Sequence, residues 1–378
     1  MAVSTGALTR GRAKMDEAHQ RIQAAVAAFG RGELIIVADD DDRENEGDLF
    51  VAASLCTPEK MAFIIRNTSG IVCAPLSQDE ARRLQLDPMV ARNDAPLGTA
   101  FTVSVDVRHG LTTGISAEER TNTVRALANG NMGAADFVRP GHVFPLVAKE
   151  GGVLMRSGHT EACVDLCRLA GLPAVGVLAE LMNDDGTVMR GPQIADFAKL
   201  HKLRRVNIAD LIAFRQARDK LIERVGEFPV ESEIGTLAGY AFQTPFDSFY
   251  HMAFVYGRIG DGRNVLTRLH RANLILDVFG GAKAVHRTLE RFKAEGRGVL
   301  VVLRDGAAGV PVIAIPKSQE TASGEARSRQ WREVGLGAQI LKDLGVTSIR
   351  VLTFSRHMTY VGLSGFGIEI VGSEPVEG

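Results

Sequence analysis

Apolar positions recur along this chain in two rhythms. Residues 15–29 are Ala-rich with helical spacing and run up to Gly30, which predicts a helix. The continuous apolar run Leu34-Ile35-Ile36-Val37 predicts a buried strand over 34–38. Thr57 as N-cap and Pro58 at the first helical position predict a helix over 58–67. Residues 70–74 and 101–106 read as strands, 117–128 as a helix and 141–148 as a strand. A helix over 160–170 is closed by Gly171 and Pro173, and a strand over 174–179 ends at Glu180. Strands alternating with helices predict the fold class α/β, in α+β layers. Residues 194–218 read as one basic helical stretch. From 234 onward the chain again reads as α/β, and 324–331 reads as a polar loop.

Length turns this pattern into a domain count. A chain of 378 residues exceeds a single typical core, so two domains are expected. The boundary falls in 224–232, giving domains over 15–224 and 232–378, with 1–14 as a disordered tail. The tail carries Arg10 and Arg12 without the apolar centre of a signal peptide. A net charge of −1 gives no case for nucleic-acid or anionic-membrane partners, and acidic residues interleave the basic ones of 194–218. No apolar stretch approaches the roughly 20 residues needed to span a bilayer. Four cysteines (Cys56, Cys73, Cys163, Cys167) suit a reducing cytoplasm. Cys163 and Cys167 lack the further ligands of a zinc set and read as buried thiols.

The densest chemical signal follows the first strand. Seven carboxylates occupy the ten positions from Asp39 to Asp48, interrupted by Arg43, Asn45 and Gly47. Like charges this close repel unless a cation sits among them, and oxygen donors suit Mg²⁺. In an extended segment Glu44, Glu46 and Asp48 share a side; in a helical one Glu44 and Asp48 do. A solvated acidic loop is the competing reading. Further along, Arg156-Ser157-Gly158-His159-Thr160 is a small-residue turn entering a helix. Its backbone N–H groups and Arg156 suit a phosphate, and His159 adds an imidazole able to bind a metal.

The motif Asp42-Arg43-Glu44-Asn45-Glu46-Gly47-Asp48 resembles the signature of 3,4-dihydroxy-2-butanone 4-phosphate synthase, an enzyme family of the riboflavin pathway. Arg139 to Leu146, Gly151 to Leu154, Arg156 to Ala162, Glu180 to Thr187 and Thr112 to Ala117 extend the resemblance over roughly residues 15–220. It implies conversion of D-ribulose 5-phosphate to 3,4-dihydroxy-2-butanone 4-phosphate and formate. It implies two Mg²⁺ or Mn²⁺ ions per site, with Glu44 and His159 as protein ligands. It implies substrate contacts from Arg43, Glu44, Asp48, Arg156, Ser157, Gly158, His159, Thr160 and Glu180, and it marks His142 and Glu180 as essential. Proton transfers are expected from Glu180, Asp48 and Glu46, and a phosphate contact from Thr113. The role of His142, as proton carrier or as orienting group, stays open, and so does a structural role for Cys73. Glu119 and Asp41 depart conservatively from the family pattern. A homodimer is implied as well.

Residues from about 232 resemble GTP cyclohydrolase II through Phe279-Gly280, Glu295 to Leu300 and Gly335 to Val346. That family holds zinc with three cysteines, whereas no cysteine follows Cys167 and the ligand positions read Asn273, Ala284 and His286. The segment Arg304 to Gly309 lacks a second arginine, and Val334 replaces a tyrosine. No zinc and no GTP hydrolysis are therefore expected. The alternatives are a bifunctional enzyme with GTP cyclohydrolase II activity, and a non-catalytic regulatory or assembly protein.

Overall fold

The computed structural model describes residues 5–39, 45–95, 97–245, 249–304, 335–353 and 368–375, with side chains from 17 onward. The described residues form two compact units, one over 17–214 and the other from 215 onward together with 5–16, so that α1 (Thr5–Gly30) belongs to both.

The first unit is built on β1 (Ile35–Ala38), β2 (Gly47–Ala52), β3 (Cys73–Leu76), β4 (Val105–Val107), β5 (Phe137–Val147), β6 (Gly176–Glu180) and β7 (Arg204–Asn207). These form one seven-stranded sheet in the order β4-β5-β3-β6-β2-β1-β7. It is mixed: β1 pairs antiparallel with β2 and parallel with β7, while β2 and β6 run antiparallel. Every residue of β2 is buried, because both sheet faces are covered. Leu49 and Val51 join one core with Met61 and Ile64 of α2 (Pro58–Asn67) and Val124 and Leu127 of α4 (Ala117–Leu127). On the other face, Phe50 lies edge-on to the ring of His159, the first residue of α5 (His159–Leu169). The remaining helices described are α1 (Thr5–Gly30), α3 (Gln78–Arg83), α6 (Pro192–Leu200) and α7 (Ile208–Arg218). Thr57 caps α2 as expected, its Oγ1 accepting from Lys60 N.

Several boundaries differ from the sequence reading. The stretch expected as a disordered tail is helical from Thr5 onward. Ala7, Leu8, Arg10, Arg12 and Lys14 are good helix formers, and extending a nucleated helix costs little. The basic stretch 194–218 is not one helix: β7 interrupts it and pairs with β1, after a turn in which Lys202 takes a φ of 54°. The first segment of β3 starts at Cys73, three residues later than expected, and 101–106 yields only the short β4.

The second unit holds β8 (Glu223–Ser232), β9 (Gly235–Gln243), β10 (Tyr250–Tyr256), β11 (Val265–Arg271), β12 (Gly298–Leu303), β13 (Ser348–Thr353) and β14 (Glu369–Pro375), with α8 (Lys283–Glu295). The sheet order is β14-β13-β11-β12-β10-β9-β8. The segment 224–232, where the domain boundary was expected, is thus an edge strand paired with β9. Its charges and Pro229 look like linker composition, but an exposed edge strand uses the same residues. The polar segment 324–331 lies outside the described residues.

Candidate active site

The described ends of the acidic run, Asp39 and Glu46, bond to one another as a neck. Asp39 N donates to Glu46 O at 3.2 Å, and Glu46 N donates to Asp39 Oδ1 at 2.9 Å. Glu46 then meets Arg190, whose Nη2 lies 3.3 Å from Oε1. Arg43 and Glu44, with 40–42, lie outside the described residues.

From this neck β2 carries Asp48 inward, where it is 2% exposed. The β2–β6 register sets Asp48 directly opposite Glu180. Two residues along β6, Leu178 pairs with Cys73, and Cys73 pairs with Phe144 of β5. Register partners share a face and side chains alternate, so Asp48, Glu180, Cys73 and His142 point to the same side of the sheet. His159 enters from α5 on that side, its Nε2 4.0 Å from Asp48 Oδ1. Burial, then the charges of Glu180 and Asp48, push the Cys73 thiol well above its usual value. Glu180 is oriented by Ser69, whose Oγ donates to Oε2 at 2.7 Å and whose N donates to the Glu180 carbonyl at 2.9 Å.

The turn before α5 is held from within the helix. Glu161, 1% exposed, accepts Lys149 N through Oε1 at 2.9 Å and Arg156 Nη1 through Oε2 at 2.6 Å. Arg156 Nη2 also donates to Leu97 O and Thr99 Oγ1. The charge expected to face a phosphate is thus already matched by Glu161. Gly158 lets the chain pass over this pair, since a Cβ there would lie 2.3 Å from Arg156 Nη1. The first N–H groups of α5, at His159 and Thr160 behind Gly158 and Ser157, remain the anion-suited feature. Asp165 fixes the same loop by accepting Val153 N at 2.8 Å.

Thr113 sits in an exposed loop gathered by Glu119. Glu119 Oε1 accepts Thr112 N at 2.7 Å and Thr112 Oγ1 at 2.8 Å, and Oε2 accepts Ser116 Oγ at 2.9 Å. Donation from the Thr112 backbone, then its hydroxyl, lowers the Glu119 pKa to about 2. His142 meets a partner that the sequence did not single out: Nδ1 lies 2.7 Å from Asp106 Oδ2. Asp106, Glu161 and Asp165 were legible only as polar residues inside otherwise apolar strand or helix patterns.

Among the described residues no group of three or more His, Cys, Asp or Glu side chains gathers to hold a metal. Mg²⁺ keeps several waters and binds through one or two protein groups. A carboxylate and an imidazole facing one another at 4.0 Å, too far for a direct hydrogen bond, fit that chemistry. Two carboxylates, two imidazoles and a helix N-terminus on one sheet face can together bind a phosphosugar and move protons next to its carbonyl.

In the second unit the zinc positions serve local structure. Asn273 Oδ1 accepts Leu276 N at 3.0 Å, Ala284 O accepts Thr288 Oγ1 at 2.7 Å, and His286 Nδ1 lies 2.6 Å from Glu233 Oε2. An amide, a methyl group and one imidazole do not fit a zinc site made for three thiolates. Val334 and 305–309 lie outside the described residues.

Comparison with known proteins agrees with this division. The family model of 3,4-dihydroxy-2-butanone 4-phosphate synthase matches residues 23–214, and that of GTP cyclohydrolase II matches 223–375. A bifunctional riboflavin biosynthesis protein of Arabidopsis thaliana is 43% identical, covering 94% of this chain and 68% of that protein. A monofunctional riboflavin biosynthesis protein of the same plant is also 43% identical, covering 94% and 76%. Both are named chloroplastic. A crystal structure of a two-domain 3,4-dihydroxy-2-butanone 4-phosphate synthase from A. baumannii superposes with a TM-score of 0.77 at 33% identity, covering 92% of this chain and 98% of that one. A 3,4-dihydroxy-2-butanone 4-phosphate synthase in complex with two magnesium ions gives a TM-score of 0.51 at 44% identity, covering 52% and 97%. The bifunctional names among the relatives favour the two-activity alternative over the single activity expected from the sequence. The chain belongs to the 3,4-dihydroxy-2-butanone 4-phosphate synthase family, as a riboflavin-biosynthesis lyase fused to a domain of the GTP cyclohydrolase II family.

Proposed function

We propose that the first unit converts D-ribulose 5-phosphate to L-3,4-dihydroxy-2-butanone 4-phosphate and formate, with Mg²⁺ or Mn²⁺ held by Glu44 and His159, two ions per site. The observation that carries this reading is the row of Asp48, Glu180 and His142 on one sheet face with His159 beside it. When bound, the metal polarises the carbonyl and hydroxyl oxygens of the sugar. The chain's own residues do the rest. The N–H groups at Ser157 to Thr160 hold the phosphate, joined by Thr113, and Arg43 assists. Asp48 and Glu180 exchange protons with the carbon and hydroxyl groups next to the carbonyl, and His142 serves the later proton transfers. Glu46 holds the loop neck through Asp39 and Arg190, which better explains its contacts than proton transfer. Atoms balance without any added oxidant: five carbons leave as four plus one, the single carbon as formate.

For the second unit we propose a scaffold that does not hydrolyse GTP. The relatives' names favour two activities, although a monofunctional protein is as similar as a bifunctional one. This chain's own residues support the single activity, because no thiolate is available after Cys167. Zinc analysis of the purified chain, with formate assayed from GTP, tests this; stoichiometric zinc with GTP-dependent formate would overturn it.

We further propose a homodimer in a reducing compartment such as the cytoplasm. Ile71 and Ile115 are 50% and 53% exposed, large apolar side chains of the kind that a second copy would cover in a dimer. Among the described residues no helix is long and apolar enough to cross a membrane.

A further inference from the structure

The chain that leaves α2 is laid against the end of β6. Thr68 forms a bridge with Leu181, Met182 N donates to Asn67 O at 3.2 Å, and Ser69 N donates to Glu180 O at 2.9 Å. The turn that follows has its own supports. Thr68 Oγ1 donates to Ile64 O at 2.6 Å and accepts Gly70 N at 3.2 Å, and Gly70 takes a φ of 74°. Arg120, 6% exposed, donates through Nη1 to Gly70 O at 3.0 Å. None of these bonds uses the Ser69 side chain, so the turn keeps its path without it.

The Ser69 hydroxyl has a different task. A hydroxyl carries one hydrogen and two acceptor sites. Ile71 N donates to Ser69 Oγ at 3.3 Å, which occupies an acceptor site and leaves the hydrogen free. That hydrogen goes to Glu180 Oε2 at 2.7 Å. Among the described residues no other side chain hydrogen-bonds the Glu180 carboxyl. The terminal torsion of a glutamate is broad and roughly two-fold, so a carboxylate without a partner swings and exchanges its two oxygens. Asp48, directly across the ladder, repels it further, since facing like charges destabilise a sheet. Ser69 opposes both motions. It is exposed and Glu180 half-buried, so the pair stands at the solvent-facing end of β6.

We propose that Ser69 is a positioning residue of the reaction: its hydroxyl holds Glu180 Oε2 and so presents Oε1 to the sugar as the oxygen that exchanges protons. This rests on the reading of Glu180 as a proton carrier of the site. It divides the work of the turn between main chain, which fixes where β6 ends, and one hydroxyl, which fixes how its last carboxylate points.

The test uses the full chain with Mg²⁺ and D-ribulose 5-phosphate. In Ser69→Ala the expected result is a near-normal KM with kcat lower by about 10- to 100-fold, the size of loss that misplacing a reacting group causes. Ser69→Thr, which keeps the hydroxyl, should restore kcat. Sugar deuterated next to its carbonyl should show a larger isotope effect on kcat in Ser69→Ala than in the unsubstituted protein, since the slowed step is the proton transfer. A purely structural role would move none of these in the folded protein. An unchanged kcat in Ser69→Ala, while Glu180→Gln is inactive, would overturn the proposal, and so would a loss in Ser69→Ala that Ser69→Thr does not repair. Full activity of Glu180→Gln would instead overturn the reading of the site. Should the Ala variant not fold, Ser69→Cys decides, because a thiol keeps the shape with only a weak donor: a kcat equal to that of the unsubstituted protein contradicts the proposal.

Discussion

Asp48 and Glu180 face one another directly across the antiparallel β2–β6 ladder, with Asp48 almost wholly buried. Facing positions put Cβ atoms about 4.5–5.5 Å apart, and like charges there destabilise a sheet. Such a pair is a cost to folding that a bound cation or a shared proton relieves. Asp48→Asn and Glu180→Gln should therefore each leave stability unchanged or raised by roughly 0.2–1 kcal/mol. The same variants should lose about 10²–10⁴-fold in kcat. Urea unfolding beside formate assays checks this; a variant that loses stability and keeps its rate would show that the pair serves structure.

The Arg156–Glu161 pair behaves in the opposite way. Glu161 is 1% exposed and its two oxygens anchor Lys149 N and Arg156. Removing one partner of a buried pair strands the other, at about 3–5 kcal/mol. Glu161→Ala should lower the unfolding free energy by that order, measured by denaturant titration. A loss below about 1 kcal/mol, the range of surface pairs, would contradict the clasp.

Glu119 makes a pH prediction. Its folded pKa is lowered from 4.5 to about 2 by donors in the Thr112–Ser116 loop. A depressed carboxylate contributes stability that is fully present above the unfolded value and is lost as pH falls through the folded one. The contribution should fade between about pH 4.5 and 2 and be absent from Glu119→Gln. Thermal unfolding at stepped pH reads this directly: the two proteins should differ at neutral pH and converge in acid. Glu119→Asp, which keeps the carboxylate, should keep more of the effect than Glu119→Gln.

The four thiols are free and buried. Burial raises Cys56 to about 11 and pushes Cys163 well above its usual value. Thiolate is the reactive form, so the native protein should resist alkylation at neutral pH and take up four labels only in denaturant. Rapid labelling of a native thiol would contradict this burial.

Much of the site was legible because its chemistry is local in sequence. The buried strand that leads into the acidic run, and the Gly158-His159 entry to α5, follow from local pattern. What the sequence hid depends on register. Nothing local says that Asp48 lies opposite Glu180, or that Asp106 reaches His142 across a ladder break. The edge strand β8 was hidden for another reason. Charges and Pro229 protect an exposed edge, and the same composition marks a linker. The split of 194–218 likewise follows from pairing of β7 with β1, which no helical periodicity announces.

The central claim is a metal-dependent synthase joined to a domain without GTP chemistry. Formate release by the full chain, from D-ribulose 5-phosphate with Mg²⁺, with EDTA, and from GTP, tests it most directly. The account predicts one equivalent of formate per sugar consumed, none after EDTA until Mg²⁺ is restored, and none from GTP. Sugar-derived formate that persists in EDTA, or formate from GTP, would contradict it.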